Sequence, residues 1–163
     1  MKICLVAIFI LGLTASSLGG SYYGICPAGW RYFDNHCYLF SNKKADWFAA
    51  RRKCAGEGGQ LAVIYDSRLN AFLKFQAFMS GAGSYLIGLT DLWNEGTFLW
   101  EGTGQTVRFH NWDYKEPNNA GGKEDCTELG KVKAYRWNDV PCTGHATGYI
   151  CQLQIQVLGK RCC

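Results

Sequence analysis

The sequence predicts an α+β domain, and three observations lead to that prediction. Strand-like segments at both ends of the chain flank two helical segments, an order typical of this class. Apolar residues make up 48% of the 163 positions and aromatic residues 15%, enough for one domain with an aromatic-rich core. Between residues 90 and 125 helical periodicity is absent, and a stretch of this length inside a domain calls for metal ions or a bound ligand to order it.

The first predicted elements are a hairpin and a helix. Segments 30–33 and 37–40 alternate like strands on either side of the polar turn 34–36. Helical spacing of Trp47, Phe48, Arg51 and Cys54 predicts a helix over 44–56, which the glycines at 56–59 end.

A second helix is expected to begin at Asp66 or Ser67 and to end at Gly81. Its apolar residues are predicted to lie in the core. These are Leu69, Phe72, Leu73, Phe75 and Met79. The remaining strands are predicted at 61–64, 85–89, 126–129, 135–137 and 148–154.

The first twenty residues have the pattern of a signal peptide. A positive start at Lys2 precedes an apolar run from Cys4 to Leu13, and small residues follow at 14–17. We expect cleavage between residues 17 and 20, one domain over 21–163, and secretion to the extracellular space. The apolar run is too short to span a bilayer. No later apolar segment is long enough for a membrane helix, so we predict no membrane insertion.

The net charge of the chain excludes few classes of partner, but it does not favour nucleic acid as one. Without Lys2, 16 Lys and Arg residues face 13 Asp and Glu residues, with no basic tail. The cluster Arg51–Lys53 is interpreted first as a solvated helix face; contact with lipopolysaccharide or heparin is the alternative.

Eight cysteines remain after the leader, which carries Cys4. An even number behind a signal peptide indicates a disulfide framework in an oxidising compartment, but spacing leaves 105 pairings open. Cys162 and Cys163 stand beside Lys160-Arg161 in a short tail. A disulfide-linked homodimer through this tail is slightly preferred to a bond within the chain.

Oxygen-bearing side chains crowd the irregular region and the segment after it. Glu116-Pro117-Asn118-Asn119 is followed by Glu124-Asp125 and by Asn138-Asp139, with Asp91 and Glu95 upstream. Crowded carboxylates repel one another unless a cation lies among them. Hard oxygen donors without thiols or clustered histidines favour calcium over zinc.

These motifs resemble the signature of the C-type lectin carbohydrate-recognition domain. The similarity rests on Glu116-Pro117-Asn118, on Glu124-Asp125-Cys126 and on Trp137-Asn138-Asp139, in that order. Leu86-Ile87-Gly88-Leu89 resembles the family's WIGL strand, with Leu in place of Trp, and Phe109 and Asn111-Trp112 stand where the family places them. The resemblance implies two helices, antiparallel sheets and a long calcium-binding loop region.

The resemblance also implies disulfides that the cysteine count leaves open. They are Cys26–Cys37, Cys54–Cys151 and Cys126–Cys142.

Two calcium sites are implied in the same way. The main site, where the sugar would bind, takes Glu116, Asn118, Glu124, Asn138 and Asp139, with a cis peptide before Pro117. The order E-P-N resembles the mannose type, in which vicinal sugar hydroxyls coordinate calcium and pair with the acid and amide side chains. A second, structural site would use Asp91, Glu95, Asn119, Glu124 and Asp125; the equal alternative is that Asp91 and Asn119 only cap turns.

The function that the resemblance implies is a secreted pattern-recognition lectin of innate immunity, which binds mannose-type glycans on microbial surfaces. A lectin-like fold that binds proteins or ice is the first alternative. An enzyme is not predicted, since His36, His110 and His145 are scattered and no nucleophile or zinc motif occurs. The carboxylates Glu116 and Glu124 could suggest glycoside hydrolysis, but neighbouring Asn118 and Asn138 make calcium ligation the better account.

Overall fold

The computed structural model describes residues 26–81 and 83–155, and over this range the chain is an α+β domain, as predicted. Helix α1 spans Trp47–Gly56 and α2 spans Ser67–Ser80. The strands are β1 (Arg31–Phe33), β2 (His36–Ala45), β3 (Gln60–Leu61), β4 (Tyr85–Thr90), β5 (Leu99–Trp100), β6 (Cys126–Gly130), β7 (Arg136–Val140) and β8 (Thr147–Gln154). The proposed leader, Cys162 and Cys163 lie outside the described residues.

The strands form one sheet in which the two ends of the domain lie side by side. The order is β1-β2-β8-β4-β6-β7, with β3 on β8 and β5 on β4. The pairs are antiparallel, in agreement with the predicted fold class, except for β4 and β8, which run parallel. Hydrophobic alternation sets which face a strand buries but not its direction, and a connection as long as 91–146 permits either.

Helix α1 begins three residues later than the spacing predicts. Lys44 lies in β2, which runs ten residues to Ala45. The Asp46 side chain then accepts a hydrogen bond from Ala49 N at 2.7 Å and caps the helix, so the segment before it stays extended. The basic residues of α1 are exposed, in accordance with the solvated-face interpretation.

Helix α2 has the predicted caps but a narrower buried face than predicted. Asp66 accepts from Leu69 N at 2.8 Å, and Gly81 ends the helix in the left-handed conformation. Leu69 and Leu73 are buried, whereas Phe75 and Met79 are 59% and 64% exposed, so their assignment to the core is wrong. A helix that is apolar on several faces does not reveal in its sequence which face packs.

Two further strand predictions need adjustment. Pairing ends at Leu61, although 62–64 continue as buried extended chain, in which Ala62 N donates to Ile150 O at 2.9 Å. The irregular stretch contains the short β5, which pairs with β4 through Leu89 and Thr90. Two backbone hydrogen bonds of Ala62, to Ile150 O and from Gly88 N, and a bond from Val63 N to the Gln152 side chain replace the ladder at 62–64. Alternation in sequence does not distinguish such a segment from a paired strand.

The core consists of two clusters. The first contains the disulfides Cys26–Cys37, Cys54–Cys151 and Cys126–Cys142, the three pairs that the family resemblance implies. The second is rich in aromatic residues and contains Tyr38, Tyr85, Trp100, Tyr135 and Trp137. The second cluster lies beneath the loop that carries the candidate site.

Candidate functional site

Asp139 anchors the loop to the end of the sheet. It is fully buried on β7, and its carboxylate accepts hydrogen bonds from Asn118 N at 2.9 Å and Asn119 N at 2.6 Å. The Glu116–Pro117 peptide bond is cis, and Asn119 has a φ of 42°. Asp139 and Asn118, which are 21 positions apart in sequence, are therefore in direct contact.

Glu116, Asn118 and Asn138 lie around one point. Asn118 Nδ2 donates to Glu116 Oε2, and Lys133 Nζ forms a salt bridge with Glu116 Oε1. The same ammonium donates to Asn138 Oδ1 at 2.7 Å. Lys133 thus joins Glu116 to Asn138, and Asn118 joins the group through its bond to Glu116.

Glu124 completes the group of three carboxylates. Its Oε2 accepts from Ala120 N at 2.9 Å, and its backbone N donates to Asn119 Oδ1 at 3.0 Å. Burial raises the pKa of Glu124; the bond from Ala120 opposes that shift, and the charges of Asp139 and Glu116 add to it. The negative charges of Asp139 and Glu116 beside Glu124 make this a place where a bound cation would be stabilised.

Lys133 is the residue at this site that the sequence analysis missed. It ends the short 3-10 helix Lys131–Lys133, and Ala134 and Tyr135 follow with positive φ, which returns the chain to β7. The hydrogen bond to Glu116 is the main reason why the pKa of Lys133 is raised. The sequence position of Lys133, five residues before Asn138, does not predict this contact. The Lys133 side chain reaches Glu116 and Asn138 only because of the turn at Ala134 and Tyr135.

The donor chemistry fits a hard divalent cation. Three carboxylates and two amide oxygens are the donors that calcium prefers, and the ammonium of Lys133 already binds to two of the five residues. Across residues 26–81 and 83–155, no three His, Cys, Asp or Glu side chains alone form a metal-binding group, and a cation site here would also draw on the amide oxygens of Asn118 and Asn138. Lys133 would have to withdraw, and Asp113 Oδ2 at 4.0 Å offers it another partner.

The second predicted site is arranged differently. Asp91 is 3% exposed; its Oδ2 accepts from Gly96 N at 2.8 Å, while Oδ1 is buried without a partner. Burial raises the pKa of Asp91, the Gly96 bond opposes this, and Glu95 and Asp125 raise it further. Asn119 caps the Glu124 backbone, so turn capping accounts for Asn119 and for one oxygen of Asp91 but not for the other.

Aromatic packing on Trp137 positions the loop. Trp100, Phe109 and Trp112 make edge contacts with Trp137 at centroid distances of 5.7–5.8 Å. The Trp137 indole N–H donates to Asn70 Oδ1 at 3.0 Å. Because the next two residues are Asn138 and Asp139, this packing fixes two predicted ligands relative to the loop.

The histidines do not assemble a general acid–base group at the site. His145 pairs with Glu128 at 2.9 Å, and that bond raises the pKa of His145. His36 and His110 lie on other segments. Within the part of the chain that the structure describes, no helix has the length and apolar character to cross a bilayer.

The domain is of the α+β class, with a long loop held over Trp137 and an acid–amide cluster at the tip of that loop. This arrangement defines a lectin-like binding domain. A sequence model of the lectin C-type domain matches residues 43–153. The chain belongs to this family, whose members are in general binding proteins and not enzymes.

Two relatives and one solved structure illustrate the similarity. A perlucin-like protein of Mytilus galloprovincialis is 36% identical over 77% of this chain and 81% of its own length. CD209 antigen of Symphalangus syndactylus is 37% identical over 78% of this chain, which spans only 32% of that protein. The cow CD23 C-type carbohydrate-recognition domain, solved in the presence of GlcNAc2Man3 oligosaccharide, superposes with a TM-score of 0.74 at 32% identity, covering 81% of this chain and 98% of that one.

Proposed function

We propose that this protein is a secreted, calcium-dependent lectin that binds mannose-type glycans on microbial surfaces as part of innate immunity. The observation that carries the proposal is the meeting of Glu116, Asn118, Glu124, Asn138 and Asp139 at one end of the sheet. Calcium bound there would offer coordination positions to two vicinal sugar hydroxyls. Residues 1–20 would be the cleaved leader of a single lectin domain that spans 21–163.

The side chains of the site would orient the sugar. A hydroxyl can donate to a carboxylate and accept from an amide N–H, and Glu116 with Asn118 provides one such pair. Glu124 with Asn138 provides the other. The order acid then amide in Glu116-Pro117-Asn118 sets which hydroxyl arrangement satisfies both pairs, and this supports the mannose type.

Valency and the second cluster are further parts of the proposal. One shallow sugar site binds weakly, so a homodimer linked through Cys162 or Cys163 would supply avidity.

Asp91, Glu95 and Asp125, with Glu124 and Asn119 beside them, would hold a structural calcium. The buried Asp91 oxygen without a partner favours that use, since an unpaired buried carboxylate oxygen is costly.

The experiment exchanges the acid and the amide. We expect Glu116→Gln with Asn118→Asp to retain calcium binding, measured by calorimetry, because one acid and one amide remain. Affinity for mannose should fall by about 1–3 kcal/mol, because a polar group near the ion is mispaired. Competitive elution with mannose and galactose measures the preference, and Glu57→Gln, at the exposed position that follows α1, is the control.

Two results would contradict the proposal at different points. Binding to mannan that persists in excess chelator would exclude calcium-mediated recognition and favour a protein-binding or ice-binding role. An unchanged sugar preference in the double variant, with calcium still required, would place the sugar elsewhere.

A further inference from the structure

The solvent-facing side of α2 is apolar at its C-terminal half. Phe75, Phe78 and Met79 are 59%, 69% and 64% exposed, at helical spacings that place them together. The buried face of the helix is supplied by other residues, such as Leu69 and Leu73. Three large apolar side chains in one exposed cluster are unusual on a soluble protein and indicate a contact surface.

This cluster forms one wall of a groove. Phe75 and Phe78, with Lys74, face Lys131, Ala134 and Tyr135 across a volume of about 470 Å³. Lys131 Nζ donates to Gly81 O at 3.3 Å, which joins the 3-10 helix to the end of α2. We call these six residues the α2 groove. Its two lysines stand beside an apolar interior, an arrangement that suits an amphiphile with a negative group.

The two chain segments that line the α2 groove carry charged residues of one sign. Segments 67–81 and 130–136 contain Arg68, Lys74, Lys131, Lys133 and Arg136 and no acidic residue. Burial lowers the pKa of Lys74, and the nearby Arg136 lowers it further, as expected for cations without an acidic neighbour. Among the described residues, Lys74, Lys131 and Arg136 form no salt bridge.

We propose that the α2 groove docks the protein on an anionic lipid surface. Phe75 and Phe78 would enter the boundary between headgroups and acyl chains, while Lys74 and Lys131 would pair with headgroup phosphates. Exposed Val132, beside Lys131, extends the apolar contact. Aromatic side chains flanked by lysines are the combination that binds this interface.

Charge argues against the other occupants. A second copy docked groove to groove would place Lys74 and Lys131 against their equivalents, and like charges in contact are unfavourable. The chain's own C-terminal residues 156–163 contain Lys160 and Arg161 and no acid, so they would be repelled as well. An anionic bilayer supplies the missing negative charge and an apolar phase at once.

The test is co-sedimentation of the full-length protein with vesicles. Phosphatidylcholine vesicles are compared with the same vesicles containing phosphatidylglycerol, in chelator and excess mannose, so that the proposed sugar site cannot contribute. Binding is expected with phosphatidylglycerol and not without it, and it should weaken as salt is raised. Failure here would leave the calcium-dependent lectin proposal untouched.

Variants separate the two parts of the α2 groove. Phe75→Gln with Phe78→Gln is expected to lower vesicle affinity at least about tenfold, since two exposed rings that would be buried in the bilayer are lost. Lys74→Gln with Lys131→Gln should lower it about twenty-five-fold, at about fivefold for each cation. Lys43→Gln with Lys44→Gln removes the same charge from exposed positions of β2, and Trp93→Gln removes an aromatic that is 76% exposed elsewhere; both should bind normally.

Four results would overturn the proposal. They are no binding to anionic vesicles, equal binding to both vesicle types, full binding by the phenylalanine variant, or equal loss in the β2 control. Self-association of the wild type that disappears in the phenylalanine variant would instead assign the α2 groove to a second copy. All substituted side chains are exposed or line the groove, and thermal melts check that each variant is folded.

Discussion

Trp47 and Trp137 are both buried indoles with one hydrogen bond, yet they stabilise different regions. Trp47 is 2% exposed, and its N–H donates to Ile87 O at 2.9 Å, which joins α1 to β4. Trp137 is 0% exposed and donates to Asn70 at 3.0 Å, which joins β7 to α2. Trp47 belongs to the cluster with the three disulfides, and Trp137 belongs to the aromatic cluster.

The difference shows how a binding loop is supported without regular structure. Around Trp47, covalent bonds and backbone ladders fix the chain. Around Trp137, the loop depends on ring contacts from Phe109 and Trp112 and on backbone bonds such as Asp113 N to Trp137 O at 2.9 Å. Side chains therefore maintain the candidate site, so its order should be lost more easily than that of the disulfide-linked half.

The largest expected effect comes from removing each indole in turn. Trp47→Ala and Trp137→Ala should each lower the free energy of unfolding by about 3–5 kcal/mol, because both leave large cavities. Urea unfolding at equilibrium measures this. In addition, Trp137→Ala alone should raise amide hydrogen exchange across 107–119 under native conditions.

The Trp47 variant is the control in that comparison, since it disturbs the core without touching the loop. Equal exchange across 107–119 in the two variants would mean that the loop is supported by general stability and not by Trp137.

A smaller effect is expected at Lys133. If calcium binds where we propose, the Lys133 ammonium competes with it for Glu116 and Asn138. Lys133→Met should raise calcium affinity about fivefold, since an ion pair of this kind, partly buried, contributes about 1 kcal/mol. Calorimetric titration with calcium measures the change without reference to sugar binding.

Lys131→Met is the matched control, because Lys131 lies in the same 3-10 helix and contacts Gly81 O, away from the oxygen cluster. A calcium affinity that falls in Lys133→Met would indicate that Lys133 orders the ligands instead of competing for them.

The smallest expected effect concerns the pair of His145 and Glu128 near the Cys126–Cys142 disulfide. The folded-state pKa of His145 is raised above the ordinary value of 6.5 by Glu128. The stabilisation from the pair is therefore fully present when the pH is below that ordinary value of 6.5, and it is lost as the pH rises through the raised pKa of His145. Because the His145 side chain is 36% exposed, the loss should be less than about 1 kcal/mol.

Thermal melting across this pH range, with His145→Gln for comparison, measures the effect. The substitution should remove the wild type's extra stability at low pH. Identical pH profiles for the two proteins would exclude a contribution from the pair.

Much of the fold could be predicted where local chemistry decides it. Asp66 and Gly81 bound α2 as expected, because a capping side chain and a left-handed glycine act within a few residues. The start of α1 differs from the prediction, since Lys44 lies within a long β2 whose partner, β8, lies more than a hundred residues later. Phe75 and Met79 were misplaced because burial depends on which face of α2 meets the sheet.

For the candidate site, the order of the motifs predicted which residues converge, but it did not predict the cation that pairs with them. Glu116, Asn118, Glu124, Asn138 and Asp139 carry a signal because their types and spacing resemble those of a known family. Lys133 carries none, since a lysine in a loop is usually solvated. Whether these residues bind calcium and mannose remains our proposal, to be tested as described above.

The sequence by itself determined the class of domain, the caps of α2, the family and the group of oxygen donors, because these depend on residue type, order and short spacing. Tertiary structure alone decided that β4 and β8 run parallel, that Lys133 lies among the donors, and that the α2 groove is exposed and cationic. Each of these depends on segments far apart in sequence meeting in space. Their relative positions follow from packing of the whole chain, which local pattern does not encode.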